Sequence, residues 1–343
     1  GKMLPGEDIR IGEVIVQSVE RESSWADIVL EESGARIGAG SVVRETVAGV
    51  LPAASSAPAS TAGSKTAAAA QPTFGSGSDG KIMVEWVGKD DLLLGDRDGY
   101  VTLYMNGGNL ENPRYDNGTR VRAGGKEIRV KGPSVPFLVD WNGDGRPDLL
   151  VGDGGGYLHI YMNEGMGAFS TGVMVKAGGS DVDVGGRGAP CVADWNGDGK
   201  KDLVMGNRSG EIFLYINEGS NDQPVFGKRI KLNGGSLDVG SNSSPEYVDW
   251  DADGKKDLVI GNSDGEIFVF INQGTKQEPR FDNKGEKLPL KLGSDISPQV
   301  LKTGPAVQMV TADRNGEVHY LVSGGSQGAR TFPEKKLLKA GKN

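Results

Sequence analysis

Three observations place this chain in the all-β class. A nine-residue acidic loop occurs three times, as DWNGDGRPD (Asp140 to Asp148), DWNGDGKKD (Asp194 to Asp202) and DWDADGKKD (Asp249 to Asp257). Each copy runs straight into a short apolar segment, DLLVG, DLVMG or DLVIG, followed by a Gly/Asn/Asp turn. Glycine is abundant, at 55 of 343 residues, and helical periodicity is weak.

The loops belong to longer repeats, since their first aspartates lie 54 and then 55 residues apart. Each unit reads as four strands. The first ends at the loop (PFLVDW in the first full copy), and the apolar run after the loop is the second. A hairpin leads to a third strand of alternating type, and a fourth closes the unit near a GG pair. Two weaker copies flank these three. EWVGKDDLLLGDRDGYVTLYMNGG, from Glu85, has a shortened loop; VTADRNGEVHYLVSGG, from Val310, has none and is followed by RTFPEKKLLKAG as its outer strand. A four-stranded unit cannot bury both faces alone, but radial stacking of such sheets buries them and protects their edges. Residues 81–343 therefore predict a five-bladed β-propeller with acidic loops in its three middle blades.

The loop spacing carries chemistry. Oxygen side chains stand at positions 1, 3, 5 and 9: Asp140, Asn142, Asp144 and Asp148; Asp194, Asn196, Asp198 and Asp202; Asp249, Asp251, Asp253 and Asp257. Calcium takes about six to eight oxygens in a flexible shell, which a tight loop supplies at alternate positions. Glycine at position 6 allows the left-handed backbone that folds the loop over an ion. Position 7 (Arg146, Lys200, Lys255) would add a backbone carbonyl, leaving its side chain free to vary. A single Asp/Asn/Gly cluster is usually an ordinary turn. Three in-register copies with every oxygen position filled point instead to three Ca2+ sites. They are not EF-hands, because Val151, Met205 and Ile260 stand where the bidentate Glu belongs. The third loop has four carboxylates against three in each of the others, so it is expected to bind most tightly.

This D-x-[DN]-x-D-G-x-x-D pattern and its flanking strands resemble FG-GAP or VCBS-type propeller repeats, related to those of integrin α-subunit heads and many secreted bacterial proteins. The resemblance implies calcium held at the blade periphery, mainly in a structural role, by the residues named above. The first and last units depart from the pattern and are expected to be metal-free. Integrin-like propellers have seven blades, so the expectation of five rests on the residue count here.

Residues 1–50 read as a small N-terminal β module with three short strands, RIGEVIVQSVE, WADIVLEE and ARIGAGSVV. It is faintly similar to small periplasmic β domains of type II secretion and type IV pilus machinery. At about forty residues it can scarcely bury a core, so its open edges favour docking or assembly. Residues 51–80, rich in Ala, Ser, Pro and Gly, read as a linker.

Net charge of −8 and a pI near 5.1 disfavour nucleic acid and anionic membrane as partners, and no membrane-inserting segment is apparent. The single cysteine, Cys191, excludes an intrachain disulfide framework. Extracellular calcium would saturate even weak sites, and the Gly-Lys start suits a processed product, so a secreted or cell-surface location is expected. Catalytic signals are poor. His159 and His319 fall at equivalent third-strand positions where other units have Thr102, Phe213 and Phe268, which marks a packing site. Trp86, Trp141, Trp195 and Trp250 recur after the acidic position, as packing residues or as a sugar-stacking platform. Asn117, Asn207 and Asn242 lie in N-x-S/T sequons. The reading is a non-enzymatic, calcium-stabilised interaction, assembly or adhesion module with protein partners or self-association. The alternative is a glycan-binding lectin, and behind it a polysaccharide-degrading enzyme on a propeller scaffold.

Overall fold

The computed structural model describes residues 9–11, 14–22, 25–32, 35–36, 83–87 and 91–339, except 109–112, 166–167, 238, 304–305 and 325–329. The linker and the Trp86 side chain lie outside this set. The chain divides into two compact units, Gly1–Ala69 and Ala70–Asn343, with the boundary inside the expected linker. In the first unit, Ile9–Ile11, Val14–Glu22, Trp25–Glu32 and Ala35–Arg36 pair antiparallel in sequence order, giving four strands where three were expected.

The second unit is a β-propeller built on five antiparallel meanders. The first sheet contains Met83–Val87, Asp91–Gly95, Val101–Tyr104 and Thr119–Arg120. The second contains Val135–Val139, Asp148–Gly152, Leu158–Tyr161 and Val173–Met174, and the third Ala189–Ala193, Asp202–Gly206, Ile212–Tyr215 and Ile230–Lys231. The fourth contains Ser244–Val248, Asp257–Gly261, Ile267–Phe270 and Glu286–Lys287, and the fifth Ser297–Lys302, Gln308–Ala312, Val318–Gly324 and Thr331–Leu338. The first strand of each meander lies beside that of the next, and Ser297–Lys302 lies beside Met83–Val87.

The expectation of a five-bladed propeller is corrected, because among the described residues this unit holds six four-stranded sheets. Lys126–Glu127, Arg122–Ala123, Ala168–Phe169 and Asn163–Gly165 form a further sheet that joins the connections of the first and second meanders. Its strands are two or three residues long, too short to carry a legible alternation, and one of its pairings is parallel and non-local.

The second strand of each of the first four meanders carries a continuous apolar run because both of its faces are covered. In the second sheet, Leu149 and Val151 pack with Leu93 and Val101 of the first, while Leu150 packs with Leu203 and Met205 of the third. Leu92 and Leu94 of the first sheet meet Val310 and Ala312 of the fifth, so buried cores run all the way round. The glycine ending these runs has a steric cause. A Cβ on Gly95, Gly152, Gly206 or Gly261 would stand 2.3, 2.0, 2.3 or 2.4 Å from a carbonyl oxygen that leads into the next sheet. Only hydrogen in place of a side chain lets the sheets approach this closely.

Candidate metal centres

All three acidic loops connect the first strand of a meander to its second, on the second, third and fourth sheets. The position-6 glycines are left-handed as expected, with φ of 83° at Gly145, 82° at Gly199 and 83° at Gly254. Position 4 is left-handed too, at Gly143 (76°), Gly197 (72°) and Ala252 (62°), so in the third loop an alanine occupies a conformation that favours glycine.

Position 1 folds each loop inward. Asp140 accepts hydrogen bonds from the backbone N–H groups of Gly143 (2.8 Å), Asp144 (3.1 Å) and Gly145 (2.9 Å). Asp194 accepts from Asp198 (3.0 Å) and Gly199 (3.0 Å), and Asp249 from Gly254 (3.1 Å). Position 3 caps position 5 in every loop, with Asn142, Asn196 and Asp251 accepting from the N–H groups of Asp144, Asp198 and Asp253 at 3.0, 3.1 and 3.1 Å. Position 5 in turn accepts from the N–H of position 7.

The position-7 side chains are less free than their variability suggests. Arg146 donates to Asp144 at 2.5 Å and to the carbonyl of Asn163 at 2.9 Å. Lys255 donates to the carbonyl of Asn272 at 2.5 Å and pairs with Asp253 at 2.8 Å, while Lys200 stands 3.9 Å from Asp198. A basic residue recurs here because it partly neutralises position 5.

Position 9 does a job the loop pattern does not announce. Asp148, Asp202 and Asp257 are fully buried. Each accepts from the backbone N–H of the position-2 tryptophan, at 2.9, 2.9 and 2.8 Å. Each also accepts from an asparagine N–H at the end of the third strand, Asn163, Asn217 or Asn272, at 2.7, 2.7 and 2.8 Å. The recurrent N-[EQ]-G segment was the available sequence signal. Burial pushes all three carboxyls upward, offset in part by these N–H groups, and Asp257 reaches about 6 with Asp251 and Asp253 adding to the rise.

The third loop fits a hard cation best. One oxygen each of Asp249, Asp251 and Asp257 lies within 4.8 Å of the others, and Asp249 Oδ1 is buried without a hydrogen-bond partner. Three converging carboxylates and an orphaned oxygen are what a divalent ion would satisfy. The first two loops carry Asn142 and Asn196 where the third has its extra carboxylate.

Other sequence candidates resolve as follows. Trp141, Trp195 and Trp250 are buried; Trp195 stacks on Tyr247 at 4.6 Å, and the Arg330 guanidinium lies over Trp250 at 5.2 Å. They pack between sheets and offer no open face to a sugar. His159 is more than a packing residue, since its Nε2 stands 3.2 Å from Asp153 Oδ2. Cys191 is buried in the core. Among the sequons, Asn117 is exposed, whereas Asn207 is buried and donates to the carbonyl of Val184.

Comparison with known proteins agrees with this architecture. The FG-GAP-like repeat family matches residues 140–205 and 194–260, which cover all three loops. Integrin alpha-4 of Xenopus laevis is 28% identical over 155 residues, covering 40% of this chain and 15% of that protein. The chain thus spans about 15% of the length of this relative. Residues 140–260 of this β-propeller carry FG-GAP-like repeats, and the chain is similar in part to an integrin α chain.

Among solved structures, an Agrocybe aegerita lectin that recognises non-reducing terminal N-acetylglucosamine is 17% identical, with a TM-score of 0.40, covering 76% of this chain and 80% of its own. A periplasmic gluconolactonase of Pseudomonas aeruginosa is 12% identical, with a TM-score of 0.38, covering 96% of this chain and 84% of its own. Likenesses at this level say nothing about activity.

Proposed function

We propose that this chain is the propeller part of a secreted or cell-surface protein, non-enzymatic and stabilised by calcium, and that it works as a protein-interaction, assembly or adhesion module. The third loop carries the reading, through the three converging carboxylates of Asp249, Asp251 and Asp257 and the orphaned oxygen of Asp249. Calcium would supply the positive charge that lets these groups stay ionised at close range, and in doing so would tie each loop to the strands it joins. Asp140, Asn142, Asp144 and Asp148 would form the first site, with Asp194, Asn196, Asp198 and Asp202 forming the second.

The relation to an integrin α chain supports an extracellular or cell-surface setting. Among the described residues, no helix is long and apolar enough to cross a membrane. The separate N-terminal unit supports assembly, because its four-stranded sheet presents edge strands that another chain could extend. A glycan-binding reading has no comparable anchor once Trp141, Trp195 and Trp250 are buried.

Sedimentation velocity of the full chain, in excess calcium and in excess chelator, tests the proposal. Large species in calcium that dissociate in chelator are the expected result. A compact monomer in both, with one melting temperature throughout, would remove calcium and self-assembly from the account.

A further inference from the structure

The five meanders repeat one hairpin between their second and third strands, and comparing the copies exposes a difference in the fifth. An Asx residue opens each hairpin: Asp96, Asp153, Asn207, Asn262 and Asp313. Its Oδ1 caps the turn by accepting one or two backbone N–H groups, in the fifth sheet those of Asn315 (2.8 Å) and Glu317 (3.0 Å). The other side-chain atom is used differently from sheet to sheet.

In four sheets the acidic group at this place meets a cation or an imidazole. Arg120 pairs with Asp96 at 2.8 Å in the first sheet, and His159 with Asp153 at 3.2 Å in the second. Lys231 pairs with Glu211 at 2.5 Å in the third, and Lys287 with Glu266 in the fourth. Arg120, Lys231 and Lys287 hold the same register position on the fourth strand, opposite Thr102, Phe213 and Phe268. In the fifth sheet that position, opposite His319, is Leu337. This sheet therefore combines the aspartate and histidine of the second with the glutamate of the third and fourth, and lacks their fourth-strand cation.

The consequence is a buried set of unsatisfied groups. Asp313 is fully buried and His319 is 5% exposed. Asp313 Oδ2, both ring nitrogens of His319 and Thr311 Oγ1 have no hydrogen-bond partner. His319 Nε2 stands 3.5 Å from Glu317 Oε2, and one ligand atom of each of Asp313, Glu317 and His319 lies within 4.8 Å of the other two. Nearby, Arg314 faces Asp295 at 3.9 Å, and Lys335 donates to the carbonyl of Lys291 at 3.2 Å.

We propose that Asp313, Glu317 and His319 form a binding site for a divalent transition metal of the zinc class, chemically distinct from the acidic loops. A nitrogen ligand with two carboxylates suits zinc, whereas calcium sites are built from oxygen. Tetrahedral zinc with bonds of about 2.0–2.1 Å holds its ligand atoms about 3.3 Å apart, so the three groups must close up modestly on binding. Glu317, with 44% of its side chain exposed, provides the mobile ligand and the path of entry.

Cobalt titration of the full chain in excess calcium, followed by visible absorption, tests the site while the acidic loops are kept occupied. One equivalent of Co2+ should give tetrahedral d–d bands that Zn2+ displaces. His319→Phe, which copies the residue of the third and fourth sheets, should abolish the bands. Glu317→Gln, a near-isosteric change of a half-exposed side chain, should weaken binding about tenfold or more, comparable to or beyond the loss of an outer-shell partner. No bands in the wild-type chain, bands unchanged in Glu317→Gln, or bands lost only with Asp249→Ala would each overturn the assignment.

Discussion

Asp202 accepts the backbone N–H of Asn217 at 2.7 Å, joining the end of an acidic loop to the end of the third strand. The same contact appears as Asp148–Asn163, Asp257–Asn272 and Asp91–Asn106, the last at 2.6 Å in a sheet without an acidic loop. The position-9 aspartate therefore has a structural duty that does not depend on metal. Asp202→Ala should destabilise the propeller even in chelator, and by more in calcium, where the second site loses a ligand as well. Two buried N–H groups lose their acceptor, for a loss of about 2–5 kcal/mol, measurable by denaturant unfolding in both conditions.

Asp198 is exposed, and its contacts stay within its own loop. Asp198→Ala should lower the melting temperature in calcium and leave it unchanged in chelator. Equal losses in both media would remove Asp198 as a ligand.

Ala252 adopts φ of 62° where the sister loops have glycine. The left-handed conformation costs a non-glycine residue about 1–2 kcal/mol, partly offset by the lower chain entropy of alanine in the unfolded state. Ala252→Gly should therefore stabilise the protein by about 0.5–1 kcal/mol in chelator. A destabilised variant would show that the alanine methyl makes a contact worth more than the strain.

Glu246 lines a central cavity with Pro136, Pro190, Pro245 and Pro298 of neighbouring first strands. Burial pushes its carboxyl up to about 8 from an ordinary value of 4.5, with Lys256 opposing the rise. Because the folded-state value is the higher one, this group's contribution is full below pH 4.5 and is lost as pH rises toward 8. Glu246→Gln should remove that slope and exceed the wild type in stability at pH 9 by on the order of 2 kcal/mol. Parallel stability–pH curves for the two proteins would mean that water or Lys256 already compensates the charge.

Legibility followed the distance over which a feature is encoded. The acidic loops could be read because all their donors and acceptors fall within nine residues and their left-handed glycines stand at fixed offsets. The meander strands could be read because apolar runs such as Leu149–Val151 are short, bounded by a loop and a glycine, and repeated. The role of position 9 was hidden, since a carboxylate offered to a metal and one offered to an asparagine N–H fifteen residues away look alike in sequence.

By itself, then, the sequence determined the repeat, the propeller class and the residues of the three loops, because each depends on local spacing and on an alternation of apolar and polar residues. The tertiary structure decided the sixth four-stranded sheet, the strand-end glycines and the meeting of Asp313, Glu317 and His319 opposite Leu337. These arise from cross-strand register and from the approach of one sheet to the next, and a linear spacing carries no measure of either.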